Sequence, residues 1–178
     1  MTRNKILASA AGLALVASMA SAGSASAADP FVTIDSRYAQ NVPGTMCLDA
    51  STDPGSPHVP GDVVQVWTCD GGPNQAWAFN SSGYSDIQNE DGSLCLDANS
   101  NPGNPANPGD PVQLWTCDGG PNQMWTWVFS GGFWTIVNEA AGLCLDASTD
   151  PGSPTTPGDK VQLWTCHSGA SNQQWGHG

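Results

Sequence analysis

Three aspartates recur in one setting. Asp49, Asp97 and Asp146 each belong to a Cys-Leu-Asp-Ala motif, and a tryptophan follows each at 18 positions: Trp67, Trp115 and Trp164. A carboxylate accepts charge-assisted hydrogen bonds that are stronger than those to a neutral acceptor. An indole offers a flat apolar wall. Together they suit a ring with an apolar C–H face and an equator of hydroxyls, which describes a pyranose, and such a ring needs a small concavity with a few fixed polar groups. Other chemistries find less support. The acidic residues repeat with the motifs instead of forming one unique pair for glycoside hydrolysis. No nucleophile–base arrangement stands out. No Cys-x-x-Cys or histidine cluster accompanies the cysteines, so no metal is expected. His58 and His177 are isolated, and His167 replaces the aspartate found at Asp70 and Asp118, where it reads as a solvated loop residue or an added hydrogen bond.

The elements that must position these residues come in triplicate. Cys-Leu-Asp-Ala occurs at Cys47, Cys95 and Cys144, Gln-[Val/Leu]-Trp-Thr-Cys at Gln65, Gln113 and Gln162, and Asn-Gln-x-Trp at Asn74, Asn122 and Asn172, with spacings of 48 to 50 residues. Three repeats, about 31–80, 81–129 and 130–178, follow. Within each, short apolar pieces such as Phe133–Val137 and Val161–Trp164 are bounded by Gly, Pro, Asn and Asp, the pattern of strands and turns. The chain is therefore expected to be all-β, with about twelve short strands. One repeat has too few apolar residues to cover its own face, so three must share a core about a pseudo-threefold axis, as a β-trefoil. Gln75, Gln123 and Gln173, with Trp77, Trp125 and Trp175, are expected to be structural, the indoles filling that core and the amides bonding nearby backbone. Trp127 and Trp134 occur in one repeat only and read as packing.

Each repeat carries a proline-rich stretch before its Gln-x-Trp-Thr-Cys, at Pro54–Asp62, Pro102–Asp110 and Pro151–Asp159, read as a rigid loop rimming the pocket. Ile34 lies 13 positions before Cys47, whereas Ile87 and Ile136 lie 8 before Cys95 and Cys144, which implies an insertion within Arg37–Pro43. The chain stops three residues past Trp175, so the closing strand is expected to be short and to pair with a strand near Phe31.

Arg3 and Lys5, an apolar run to about Ala20 and the small residues Ala25-Ser26-Ala27 form a secretory leader over residues 1–27. Its removal leaves about 151 residues, one domain, with Arg37 and Lys160 against 16 acidic residues, a net charge of −14. Such a surface repels phosphate backbones and anionic lipid, so neither nucleic acid nor membrane insertion is expected. Six cysteines in an exported chain are expected to be paired. The repeat favours the pairing that treats all three units alike, Cys47–Cys69, Cys95–Cys117 and Cys144–Cys166, each separated by 22 residues. Each bridge contributes roughly 3 kcal/mol in the loop-closure picture.

The three ordered motifs, repeated three times over nearly the whole mature chain, resemble the R-type lectins, the ricin B chain family with its Gln-x-Trp β-trefoil. The resemblance implies one domain over 29–178 and one shallow sugar pocket per repeat. It places the sugar-binding residues at Asp49, Gln65, Trp67 and Asn74, at Asp97, Gln113, Trp115 and Asn122, and at Asp146, Gln162, Trp164 and Asn172. A secreted, monomeric carbohydrate-binding protein without catalysis or cofactor is the expectation. Galactose-type sugars are the family default, and plant cell-wall chains such as xylan, arabinan or mannan are also open because the aspartate-to-tryptophan spacing lengthens the proline-rich rim. A protein-binding trefoil acting through the Arg37–Pro43 insertion, or a small glycosidase, are the alternatives.

Overall fold

The computed structural model describes residues 31–37, 45–51, 58–79, 83–90, 94–99, 106–148 and 156–178. The expected leader, nearly all of the expected insertion and the first part of each proline-rich loop lie outside the described residues.

Twelve strands form, four to a repeat. The first repeat holds β1 (Ile34–Ser36), β2 (Met46–Ala50), β3 (Val64–Thr68) and β4 (Trp77–Phe79). The second holds β5 (Ile87–Asn89), β6 (Cys95–Ala98), β7 (Val112–Trp115) and β8 (Trp125–Ser130). The third holds β9 (Phe133–Asn138), β10 (Cys144–Ala147), β11 (Asp159–Trp164) and β12 (Trp175–His177). A 3-10 turn precedes the last strand of every repeat, at Pro73–Gln75, Pro121–Gln123 and Ser171–Gln173. Proline opens the first two, where its missing N–H costs nothing.

The first and last strands of the repeats close a six-stranded antiparallel barrel. Trp77 pairs with Asn89, Trp125 with Asn138 and Trp175 with Ser36 across strands. The remaining seams close through Val32↔Trp77, Ser85↔Trp125 and Trp175↔Trp134. The chain end thus pairs as expected, with β12 beside β1, although Val32 turns to Trp77 instead. The middle strands form three hairpins over the barrel, with Asp49↔Gln65, Asp97↔Gln113 and Asp146↔Gln162 directly opposed. These hairpins are joined in a circle by Val63↔Gln113, Pro111↔Gln162 and Lys160↔Gln65. The result is the β-trefoil.

Period-2 alternation along each short strand sends Ile34, Ile87 and Ile136, Leu48, Leu96 and Leu145, and Val64, Val112 and Val161 inward, all fully buried. Trp77, Trp125 and Trp175 fill the space between repeats, also fully buried. Their indole N–H groups donate to Leu48 O, Leu96 O and Leu145 O at 3.0, 2.9 and 3.1 Å, so all three of these buried donors are satisfied. Truncating one to alanine would cost about 3–5 kcal/mol. The three bridges are Cys47–Cys69, Cys95–Cys117 and Cys144–Cys166, as the repeat required. Each ties the start of a hairpin's first strand to the residues just past its second.

Equivalent positions are not always equivalent residues. Two residues past each core tryptophan stand Phe79, Trp127 and His177, whose rings gather with centroids 4.0 Å (Phe79–Trp127), 5.6 Å (Phe79–His177) and 6.0 Å (Trp127–His177) apart. Trp127 is packing, as its sequence position suggested. His177, which looked isolated, belongs to the same aromatic group. The joint between third and first repeats also differs. Asn89 Nδ2 donates to Asn74 O and Ala76 O, and Asn138 Nδ2 to Asn122 O and Met124 O, fastening the preceding 3-10 turn. At the third joint Ser36 occupies that position, and Arg37 fastens the turn, donating from its backbone N–H to Gln174 O at 2.9 Å and from its guanidinium to Gln174 Oε1.

Candidate functional site

Each hairpin sets its aspartate directly opposite its glutamine with the tryptophan on the same strand as the glutamine, and the 3-10 turn brings the asparagine onto the aspartate. Asp49, Asp97 and Asp146 are 2, 2 and 1 % exposed. Leaving a carboxylate at such depth without partners would cost several kcal/mol. Amides supply them. Gln65 Nε2 donates to Asp49 Oδ1 at 2.9 Å, and Oδ2 receives Asn74 Nδ2 at 2.7 Å and Gln75 Nε2 at 2.9 Å. The second repeat places Gln113, Asn122 and Gln123 on Asp97 at 3.2, 2.6 and 3.0 Å. The third places Gln162, Asn172 and Gln173 on Asp146 at 3.1, 2.8 and 2.9 Å. Three donors occupy three of the roughly four lone-pair sites of a carboxylate. One site remains for a ligand.

Desolvation by burial raises the carboxyls of Asp49, Asp97 and Asp146 above the ordinary 3.8, against the pull of the amide hydrogen bonds. Asp70 and Asp118 add like-charge repulsion to the first two, whereas His167 acts in the opposite direction on Asp146. His58, without evident role in the sequence, lies 3.6 Å from Asp62 and offsets a small part of the rise at Asp49 that burial causes.

The tryptophans of the hairpins are not core. Trp67, Trp115 and Trp164 are 41, 42 and 40 % exposed, against complete burial of Trp77, Trp125 and Trp175. In the first repeat a cleft of about 390 Å³ is lined by Asp49, Ser51, Gln65, Trp67, Asp70 and Asn74. The four residues expected there are brought together. Ser51 is an addition, flagged by nothing but its position after Cys-Leu-Asp-Ala. Gln75 proves closer to the site than its structural reading implied. Besides donating to Thr68 O and accepting from the Asp70 backbone N–H, it bonds the aspartate itself.

The described end of each proline-rich loop packs on the exposed tryptophan of a neighbouring repeat rather than its own. Gly61 N donates to Leu114 O, Gly109 N to Leu163 O and Gly158 N to Val66 O, at 2.8, 2.7 and 2.9 Å. These bonds set Gly61 against Trp115, Gly109 against Trp164 and Gly158 against Trp67. Glycine is required there, because φ is +100°, +98° and +96°. The signal in the sequence was the Pro-Gly-Asp triplet common to all three loops. Asp86 lies near the sulfurs of Cys95 and Cys117, but those sulfurs form a disulfide and offer no thiolate to a metal.

A buried, amide-clamped carboxylate beside a half-exposed indole in an open cleft can accept from a hydroxyl while an apolar ring face rests on the indole. Comparison with known proteins agrees with that chemistry. The family model for the ricin-type beta-trefoil lectin domain matches residues 21–125 and again 84–177. Among solved structures, the designed threefold-symmetric protein ThreeFoil is similar at 25 % identity and a TM-score of 0.69, covering 83 % of this chain and 96 % of that one. The Polyporus squamosus lectin, solved with the human-type influenza-binding epitope Neu5Aca2-6Galb1-4GlcNAc, is 20 % identical with a TM-score of 0.63, over 83 % of this chain and 48 % of that one. The agglutinin of Abrus precatorius is 22 % identical with a TM-score of 0.60, over 84 % and 48 %. No curated protein sequence matches the chain.

Proposed function

Because the chain belongs to the ricin-type beta-trefoil lectin domain family, we propose that it is a secreted lectin, without catalysis, that grips carbohydrate in three clefts. The observation that carries this reading is the threefold recurrence of one clamp, an aspartate held by two glutamines and an asparagine beside an exposed tryptophan. In each cleft the aspartate accepts from a sugar hydroxyl, the remaining groups of Gln65, Gln113 or Gln162 and of Asn74, Asn122 or Asn172 complete the polar grip, and Trp67, Trp115 or Trp164 carries the apolar face.

The leader over 1–27 directs export and is removed, and the lectin domain, 29–178, acts as a monomer. Three clefts on one rigid body favour repeated or branched targets. Individually weak sites gain by simultaneous engagement, since the second contact is made at high effective concentration. Galactose-type sugars and cell-wall polysaccharides such as xylan are the ligand classes. The absence of catalysis rests on the same recurrence, because a hydrolase needs one distinct acid and one distinct nucleophile or base, and here the cleft carboxylates Asp49, Asp97 and Asp146 recur once in every repeat.

Retention of the mature protein on a glycan array and on insoluble xylan tests the reading. Binding that is lost when Asp49, Asp97 and Asp146 are all changed to asparagine is the expected result, and no retention on any carbohydrate would overturn it.

A further inference from the structure

The three clefts share a clamp but not a charge. At the rim, immediately after the second bridge cysteine, stand Asp70, Asp118 and His167. Their backbones are placed alike, each N–H donating to the side-chain oxygen of Gln75, Gln123 or Gln173 at 2.9, 2.9 and 2.8 Å. In the first repeat this position lines the cleft. The first two side chains have a local task, for Asp70 Oδ1 and Asp118 Oδ1 accept from Gly72 N and Gly120 N, both at 2.8 Å. In the third repeat the turn is one residue longer and closes through the main chain, Ala170 N donating to His167 O at 3.2 Å. The imidazole is therefore not needed to shape the turn, and the residue is exposed. It is also electrostatically near the clamp, since it favours the ionised form of Asp146 where Asp70 and Asp118 disfavour that of Asp49 and Asp97.

We propose that the third cleft takes a sugar bearing a carboxylate, a hexuronate unit, with His167 donating an N–H to the sugar carboxylate, while the first two clefts take neutral sugars. The proposal rests on the lectin reading above and goes further by assigning a ligand class to one cleft. An imidazole donates to a carboxylate whether neutral or protonated. A hexuronate in the first or second cleft would instead meet a second carboxylate within the cleft, and like charges repel. The other basic groups are separable from this effect. Lys160, opposite Gln65 in the strand pairing, Arg37, bonded to Gln174, and His177, in the aromatic group with Phe79 and Trp127, stay unchanged in every comparison, and the imidazole of His58, on the loop of the first repeat, has a fully buried side chain.

The test uses the mature protein carrying Asp49→Asn and Asp97→Asn, so that the third cleft acts alone. Titration calorimetry would compare methyl galactoside with methyl galacturonoside, and xylotriose with glucuronate-branched xylotriose. Expected is at least a tenfold preference for the acidic member of a pair, reversed by His167→Asp with no loss of thermal stability. In the companion protein carrying Asp97→Asn and Asp146→Asn, Asp70→His would shift preference toward the acidic member. The proposal is overturned if His167→Asp leaves the preference unchanged, if the neutral member binds better with His167 present, or if the third cleft binds neither while the wild type binds a neutral probe. Absence of binding by the wild type to every carbohydrate would instead remove the lectin reading itself.

Discussion

Gly158 of the third repeat lies against Trp67 of the first: a Cβ placed on that glycine would stand 3.5 Å from Trp67 Cζ3 and 4.0 Å from Gln65 Oε1. The wall of one cleft is thus backed by another repeat, and the same relationship links Gly61 to Trp115 and Gly109 to Trp164. Gly158→Ala adds a methyl in contact with the indole and forces an L-residue to φ +96°, a strain of about 1–3 kcal/mol. Expected are a fall of several degrees in the thermal midpoint and weaker sugar binding at the first cleft with the others unchanged, read by titration of proteins retaining one cleft each.

Asp49→Asn tests the clamp without emptying it. Oδ2 receives two donors and Oδ1 one, so an asparagine oxygen at the Oδ2 position keeps Asn74 and Gln75 satisfied. Its amide nitrogen then faces Gln65, which accommodates it by turning its own amide. The fold should survive. What disappears is the charge that strengthens the bond to a sugar hydroxyl, a difference of about 1.5–3 kcal/mol for a charged partner, or roughly 10- to 150-fold in affinity at that cleft. Calorimetry on the one-cleft protein measures it, and an unchanged affinity would remove Asp49 from the site.

Acid should release the ligand before it harms the fold. Burial raises the three clamp carboxyls above 3.8. A raised native value means that the stability contributed by these groups is fully present below 3.8 and is lost as pH climbs through the native values. Protonating them therefore favours the folded chain, while it weakens the acceptor that a sugar hydroxyl uses. Affinity is expected to fall on acidification, beginning above pH 3.8, with the near-ultraviolet circular dichroism of the eight tryptophans unchanged across that window. Loss of binding that coincides with loss of the dichroism would contradict this order.

Much of this was legible in the sequence because threefold repetition overdetermines it. A residue type recurring at three equivalent positions is constrained at each, so the cysteine pairing and the twelve strands could be read from spacing, while the division between core and cleft tryptophans came from the resemblance to the R-type lectins. Trp77 opens β4 and closes a barrel seam with Val32, fully buried, whereas Trp67 lies near the end of the hairpin strand β3 and is exposed. Contacts between repeats were hidden. Spacing does not say that Gly158 backs Trp67, since the two are close only after the hairpins join in a circle. Positions where the repeats diverge were also opaque: His177 looked isolated because its partners, Phe79 and Trp127, are chemically unlike it and occupy other repeats.

Gln75→Ala separates positioning from contact. Gln75 is fully buried and joins Asp49, Thr68 O and the Asp70 N–H. Its truncation strands buried polar partners at about 1–3 kcal/mol each, so a loss of about 2–4 kcal/mol in unfolding free energy is expected, larger than for Asp49→Asn. Denaturant titration checks the order of the two. The opposite order would mean that Gln75 serves the cleft more than the fold.

The joint between the last and first repeats offers a stabilising change. Ser36 is fully buried and its Oγ has no hydrogen-bond partner, where Asn89 and Asn138 each fasten the preceding 3-10 turn through Nδ2. The corresponding acceptors ahead of Ser36 are Asn172 O and Gln174 O. The latter already receives the Arg37 N–H at 2.9 Å, yet a carbonyl oxygen has two lone pairs and can receive a second donor. Ser36→Asn replaces an unpaired hydroxyl with an amide placed as in the other two joints, a gain of about 1 kcal/mol. A rise of about 3–4 °C in the thermal midpoint is expected for a domain of this size. A lowered midpoint would show that Arg37 and Gln174 have already filled the space that the asparagine needs, so that the third joint is closed by a different and incompatible pair.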